Sequence, residues 1–223
     1  MLKSLYIQHL YSLSDEQLER ELADRISFRV FLGTIEVIPD STTIWKFKER
    51  LANSGNDVEI WNDLQRQLDA MNLKVKKGII QDATFIEADP GHAKKDTPRG
   101  EDAKTRRSKD GTWAKKSTKS YFGYKLHSAM DPDFGLIRRI EVTTASVHDS
   151  QVDLAKKGEV RYADRGFFGA KTSGYDAAMK KAARGHSLGY RDEMRNKRIS
   201  RIRSPIERSF AIVKRVCKQD ILQ

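Results

Sequence analysis

The chain has 223 residues, 38% of them hydrophobic, enough for one sizeable domain and a smaller appendage. Lys and Arg number 42 against 31 Asp and Glu, a net charge of +11 that favours a polyanionic partner. The one cysteine, Cys217, excludes an internal disulfide framework or cysteine-based zinc site, and no apolar run approaches the roughly 20 residues of a membrane helix.

Residues 1–72 read as helical. Ser14 precedes Asp15-Glu16-Gln17-Leu18 as an N-cap with acids in the first turn. Leu18, Leu22, Ile26 and Val30 then recur every four residues until Gly33 ends the helix. Pro39-Asp40-Ser41 opens a second helix carrying Ile44, Trp45, Phe47, Lys48 and Leu51, stopped by Ser54-Gly55. A third runs from about Asn56 to Met71, with Val58, Trp61, Leu64 and Leu68 on one face. Two short helices about a Gly-containing turn have the outline of a helix-turn-helix. Trp45 and Phe47 are read as core residues, and no recognition helix is assigned.

From Lys77 the pattern changes. Residues 78–87 form an apolar, β-branched strand, and 91–119 a long basic loop with almost no aliphatics. Strands around Tyr121–Met130 and Leu136–Thr144 follow, joined by Asp131-Pro132-Asp133-Phe134-Gly135, whose turn chemistry predicts an antiparallel hairpin. A short helix is expected after His148-Asp149, a fourth strand over 159–163 and a helix from about 170 to 183. A short strand near 185–190 and a last helix from Ser204 complete the chain. The expected division is a helical region over 1–75, a candidate DNA binder, and an α/β domain over 76–223 with a mixed sheet. This order of elements is that of a ribonuclease H-like core.

The charge is concentrated in two segments. Residues 91–120 hold ten Lys/Arg against four Asp/Glu, and 191–218 hold ten against three. Two basic blocks on a near-neutral body read as a nucleic-acid footprint, with Arg106, Arg107 and Lys125 among the candidate contacts.

Three acids stand out against this background. Asp82 interrupts the apolar run Gly78-Ile79-Ile80-Gln81-Asp82-Ala83-Thr84-Phe85-Ile86, where a charge is costly unless it is paired or binds a metal. Asp164 ends Glu159-Val160-Arg161-Tyr162-Ala163-Asp164, ahead of Arg165-Gly166-Phe167. Glu207 lies in Ser204-Pro205-Ile206-Glu207, which also matches a capping box with Pro at the first helical position. If the first and fourth strands are neighbours, Asp82 and Asp164 open onto one side of the sheet, where α/β folds bind ligands. Carboxylates so placed suit two Mg²⁺ ions roughly 3.5–4 Å apart, Mn²⁺ being able to substitute, for in-line displacement at phosphorus. His127 is read as a packed strand residue, His148 as a cap and Asp149 as an acid at a helix start.

The chain resembles the DDE transposases of bacterial insertion sequences. The resemblance is carried by Leu13-Ser14-Asp15-Glu16-Gln17-Leu18, Ala23-Asp24-Arg25-Ile26-Ser27-Phe28, Pro39-Asp40-Ser41-Thr42-Thr43-Ile44-Trp45-Lys46-Phe47 and Gln81-Asp82-Ala83-Thr84-Phe85-Ile86-Glu87-Ala88. It continues through Tyr121-Phe122-Gly123-Tyr124-Lys125-Leu126-His127, Ala145-Ser146-Val147-His148-Asp149-Ser150 and Ala163-Asp164-Arg165-Gly166-Phe167. It implies a ribonuclease H-like fold with Asp82, Asp164 and Glu207 as catalytic and metal-binding residues. The family's last element spaces Tyr, Arg, Glu and Lys so that Arg203, Glu207 and Lys214 match, while Ser200 stands where the Tyr would be. Arg203 and Lys214 are then candidate phosphate contacts. Pro205 opposes a continuous helix through Arg203 and Glu207.

The implied partners are double-stranded DNA, both the terminal inverted repeats and the target, together with a second copy of the chain in synapsis. No membrane is implied, and the expected compartment is the cytoplasm, at the nucleoid. Relatives carry more sequence on either side of the matched stretches, so a shortened copy is expected. Two readings stand: an enzyme that cuts and joins DNA, and an inactive remnant that only binds DNA through its charge.

Overall fold

Each run of apolar residues in the first 70 positions becomes a helix, but they divide differently from their periodicity. The structure, a computed structural model, describes residues 1–33, 36–90, 110–216 and 221–222. Met1–Lys74 with Ile212–Lys218 make one unit, and Val75–Ala211 with Gln219–Gln223 another. The first contains α1 (Leu2–Tyr11), α2 (Asp15–Asp24), α3 (Ile26–Leu32), α4 (Ser41–Ser54) and α5 (Asn56–Ala70). Ser14 and Gln17 form a reciprocal capping box at the start of α2, and Asp40 caps α4 through Thr43 N–H.

Ile7, Leu18, Leu22, Phe28 and Ile44 form this unit's buried core. The single helix expected from Ser14 to Gly33 is broken at Arg25, whose backbone is extended. The break rotates the second half, so Phe28 turns inward while Ile26 and Val30 are 69% and 62% exposed. Trp45, expected in the core, is 53% exposed. Ile44 fills the core position of α4 instead.

The second unit is built on a seven-stranded sheet: β1 (Gly78–Ala88), β2 (Thr112–Lys116), β3 (Lys119–Met130), β4 (Ile137–Thr144), β5 (Val160–Ala163), β6 (Tyr175–Ala178) and β7 (Ile221–Leu222). β1 pairs antiparallel with β3, and β3 with β4, as the turn at 131–135 demands. On its other side β1 runs parallel to β5, and β5 parallel to β6. The path β4-β3-β1-β5-β6, three antiparallel strands followed by two parallel ones, is ribonuclease H-like. β2 and β4 divide the outer edge of β3, with β2 on residues 119–123 and β4 on 124–130. No helix among the described residues is long and apolar enough to cross a membrane.

Four local expectations are corrected. Thr112–Lys116, assigned to the basic loop, is strand β2; its polar composition conceals an edge strand. Residues 170–183, rich in helix formers, instead supply β6, because Ala178 pairs with the buried Ala163 and tertiary pairing overrides propensity. After His148 only a 3-10 turn forms, at Asp149–Gln151. The buried Gln81 amide binds the Val152 carbonyl at 2.7 Å and the Leu154 N–H at 3.1 Å, taking backbone groups that a helix would use. No strand forms near 185–190, where Gly185 adopts a left-handed turn.

The last helix is the largest departure. It is α6 (Tyr190–Ala211), 22 residues long, and Pro205 lies inside it. An internal proline costs on the order of 3 kcal/mol. Ile202, Ile206 and Phe210 offset that cost by packing on Ile80, Met130 and Tyr162 of the sheet. Ser204 therefore caps nothing, and the capping-box reading of Glu207 falls.

Candidate active site

Strand alternation decides which residues share a face. Ile80, Met130 and Tyr162 pack with α6, whereas Ile79 and Ala129 pack on the other side with Val152, Leu154 and Ala155. Asp82, two residues after Ile80, therefore lies on the α6 face. Ile80 is level with Tyr162 across the parallel β1–β5 pair, so Asp82 and Asp164 come level just beyond the last paired residues. Asp164 starts the 3-10 turn Arg165–Phe167, its Oδ1 accepting the Gly166 N–H at 2.8 Å. Gly166 suits this place because a Cβ there would lie 3.0 Å from Asp164 Oδ1.

From above, α6 brings Arg203. Its Nη2 donates to Asp82 Oδ2 at 2.7 Å, and the two side chains are only 12% and 19% exposed. Asp82 Oδ1 accepts the N–H of Ala83 at 2.9 Å. Burial pushes the Asp82 carboxyl above its ordinary range, and the charge of Asp164 pushes the same way. Arg203 and the Ala83 N–H pull in the opposite direction without prevailing. Arg203 thus pairs with a poorly solvated carboxylate that also feels the negative charge of Asp164.

Glu207 lies one turn beyond Arg203 on the continuous α6 and is exposed. Among the described residues no three His, Cys, Asp or Glu side chains form a group able to hold a metal. Asp82 and Asp164 interact; Glu207 does not join them in a three-acid group. Lys214 falls in the short π-helical segment Ile212–Val216, which clusters with the N-terminal unit.

Lys125 lies on the opposite face from Asp82. It is 8% exposed, donating to the Val147 carbonyl at 2.7 Å and to Asp149 at 2.8 Å. His127 is buried against Thr143, and burial lowers its pKa. His148 caps the 3-10 turn through Ser150 N–H. Arg106 and Arg107 lie outside the described residues. Lys115, Lys116 and Lys119, expected as part of the basic 91–120 footprint, are exposed on the β2–β3 hairpin, and the hairpin adds Trp113, 55% exposed, which the basic composition does not single out. The alternation in Thr112-Trp113-Ala114 between Gly111 and Ser117 was its only signal.

Residues 73–223 match the family described as Transposase DDE domain, about two thirds of the chain. The chain belongs to the DDE transposases. Residues 1–50 match a second family, described as Transposase domain (DUF772), so both units carry transposase sequence. No solved structure gives a significant match.

Proposed function

We propose that this transposase binds the ends of an insertion sequence and carries out divalent-metal-dependent DNA strand cleavage and strand transfer. The observation that carries the reading is the pair Asp82 and Asp164, level on one sheet face and electrostatically coupled. Their oxygens are the hard donors that Mg²⁺ or Mn²⁺ takes, and an ion that keeps several of its waters needs few protein ligands. Asp82 and Asp164 would hold the metal, with Glu207 as the proposed third ligand. Two bound divalent ions would supply an activated water or 3′-hydroxyl and neutralise the leaving oxygen.

The protein's own part is to aim and desolvate. The β1 backbone and the Gly166 N–H orient the two carboxylates, and α6 packed on the sheet leaves the Asp82 side chain only 19% exposed. For DNA, the exposed lysines and Trp113 of the β2–β3 hairpin offer phosphate contacts and a stacking surface. Lys115, Lys116, Lys125 and His148, together with the Asp149 that pairs with Lys125, line a cavity of about 200 Å³ beside β1, where the two exposed lysines are the groups free to meet a backbone phosphate. Arg203, Lys214, Arg106 and Arg107 are the further proposed phosphate contacts. Terminal inverted repeats and target DNA are the proposed substrates, synapsis by a second copy the proposed assembly, and the nucleoid the proposed location.

The test is cleavage of a terminal-repeat duplex with Mg²⁺ or Mn²⁺. Asp82→Ala is expected to abolish the product while leaving duplex binding intact; retained cleavage refutes the assignment. The exposed Glu207 favours a second reading, a DNA-binding remnant without catalysis. That reading expects salt-sensitive binding and no metal-dependent product from the parent chain.

A further inference from the structure

Arg139, Arg161 and Arg203 each bind a carboxylate at this sheet, and they differ in how firmly they are held. Arg139 grips Glu159 with both terminal nitrogens. Arg161, fully buried, donates to the Ala170 and Lys171 carbonyls and to Asp176, with Asp153 at 3.6 Å. Arg203 reaches Asp82 through Nη2 alone; the buried Nε is without a hydrogen-bond partner in all three arginines, so the fewer bonds from its terminal nitrogens are what set Arg203 apart. This is a guanidinium drawn to surplus negative charge rather than clamped in a fitted socket.

We propose that Arg203 is a resident counter-ion that a divalent cation must displace from Asp82, and that its displacement frees the guanidinium for a DNA phosphate. The inference rests on reading Asp82 and Asp164 as the metal pair, and deepens it. Without metal, two adjacent carboxylates repel in a site of low solvation, and one positive side chain is the nearest source of relief. A divalent ion supplies more charge to the same oxygens. Two cations competing for Asp82 Oδ2 repel each other in a weakly screened environment, so binding of one loosens the other. Arg203 stands on a helix whose Arg191, Arg198, Arg201 and Arg208 are exposed, so the element that carries a released guanidinium also offers other donors to phosphate. Metal loading and DNA grip would thereby be coupled through one side chain.

The probe is Mn²⁺ alone, titrated by calorimetry into the full chain and into Arg203→Ala, Arg203→Gln and Asp82→Ala, with thermal unfolding of each measured with and without Mn²⁺. Arg203→Ala should bind Mn²⁺ at least about tenfold more tightly than the parent, since one competing charge is gone. Arg203→Gln, which keeps much of the side chain's bulk, should show the same direction and serves if the alanine variant does not fold. Mn²⁺ should raise the unfolding temperature of both more than that of the parent. In the parent, Mn²⁺ should also steepen the salt dependence of duplex binding by about one phosphate contact, and in Arg203→Gln it should not. Unchanged or weaker Mn²⁺ affinity in the Arg203 variants overturns the inference. If Asp82→Ala meanwhile loses Mn²⁺ binding, the metal reading survives that failure. A parent that binds no Mn²⁺ at all defeats both.

Discussion

The two faces of the central sheet both bury polar and charged side chains, yet to opposite effect. On the face away from α6, Gln81 is bonded at both ends of its amide, Lys125 to a carbonyl and a carboxylate, and Arg161 to two carbonyls and two acids. On the α6 face, Asp82 has one guanidinium as its ionic partner and feels the like charge of Asp164, and burial keeps Asp82 reluctant to ionise. A polar group with its partners in place holds a fold together. Groups left with surplus charge on a sheet face are poised to take up something else.

The largest effect that sharpens this contrast is on chemistry at the α6 face. Asp82→Asn should lower metal-dependent cleavage by at least about 100-fold, the upper end of what outer-shell losses alone produce. Urea unfolding of the same variant should show a smaller loss of stability than the opposite-face variants, because the Asn amide oxygen can still accept from Arg203 and burial already disfavours the Asp82 carboxylate. A variant that is both inactive and strongly destabilised would erase the distinction between the faces.

The opposite face should behave in reverse. Arg161→Met leaves Asp153 and Asp176 without their shared cation and should cost about 3 kcal/mol of unfolding free energy. Gln81→Leu leaves the Val152 carbonyl and Leu154 N–H buried and unpaired, at about 1–3 kcal/mol. Duplex affinity per folded molecule should change little in either, as a binding assay on the folded fraction would report.

The smallest effect is a pH dependence. Burial holds the His127 pKa below its ordinary 6.5, so the folded state favours the neutral ring. The stability associated with that group is present above pH 6.5 and is lost as pH falls through the lowered folded value. The stability gap between the parent and His127→Gln should therefore narrow on acidification from pH 8 to 5. A gap independent of pH would mean that the ring is not desolvated.

Much of this molecule is determined by local chemistry that sequence carries openly. The Ser14 capping box, the strand at 78–88, the Asp131–Gly135 hairpin and the acids at 82 and 164 each follow from spacing and residue type acting over a few neighbours. Tertiary structure alone decided the rest. A helix runs through Pro205 because burial of Ile202, Ile206 and Phe210 outweighs a missing hydrogen bond, and that continuity is what carries Arg203 onto Asp82. Residues 175–178 are a strand because β5 offers an edge, and the turn after His148 stays short because Gln81, far away in the chain, claims its backbone. In each case the deciding partner lies well outside any local window, so the energy that settles the outcome exists only once the chain has closed on itself.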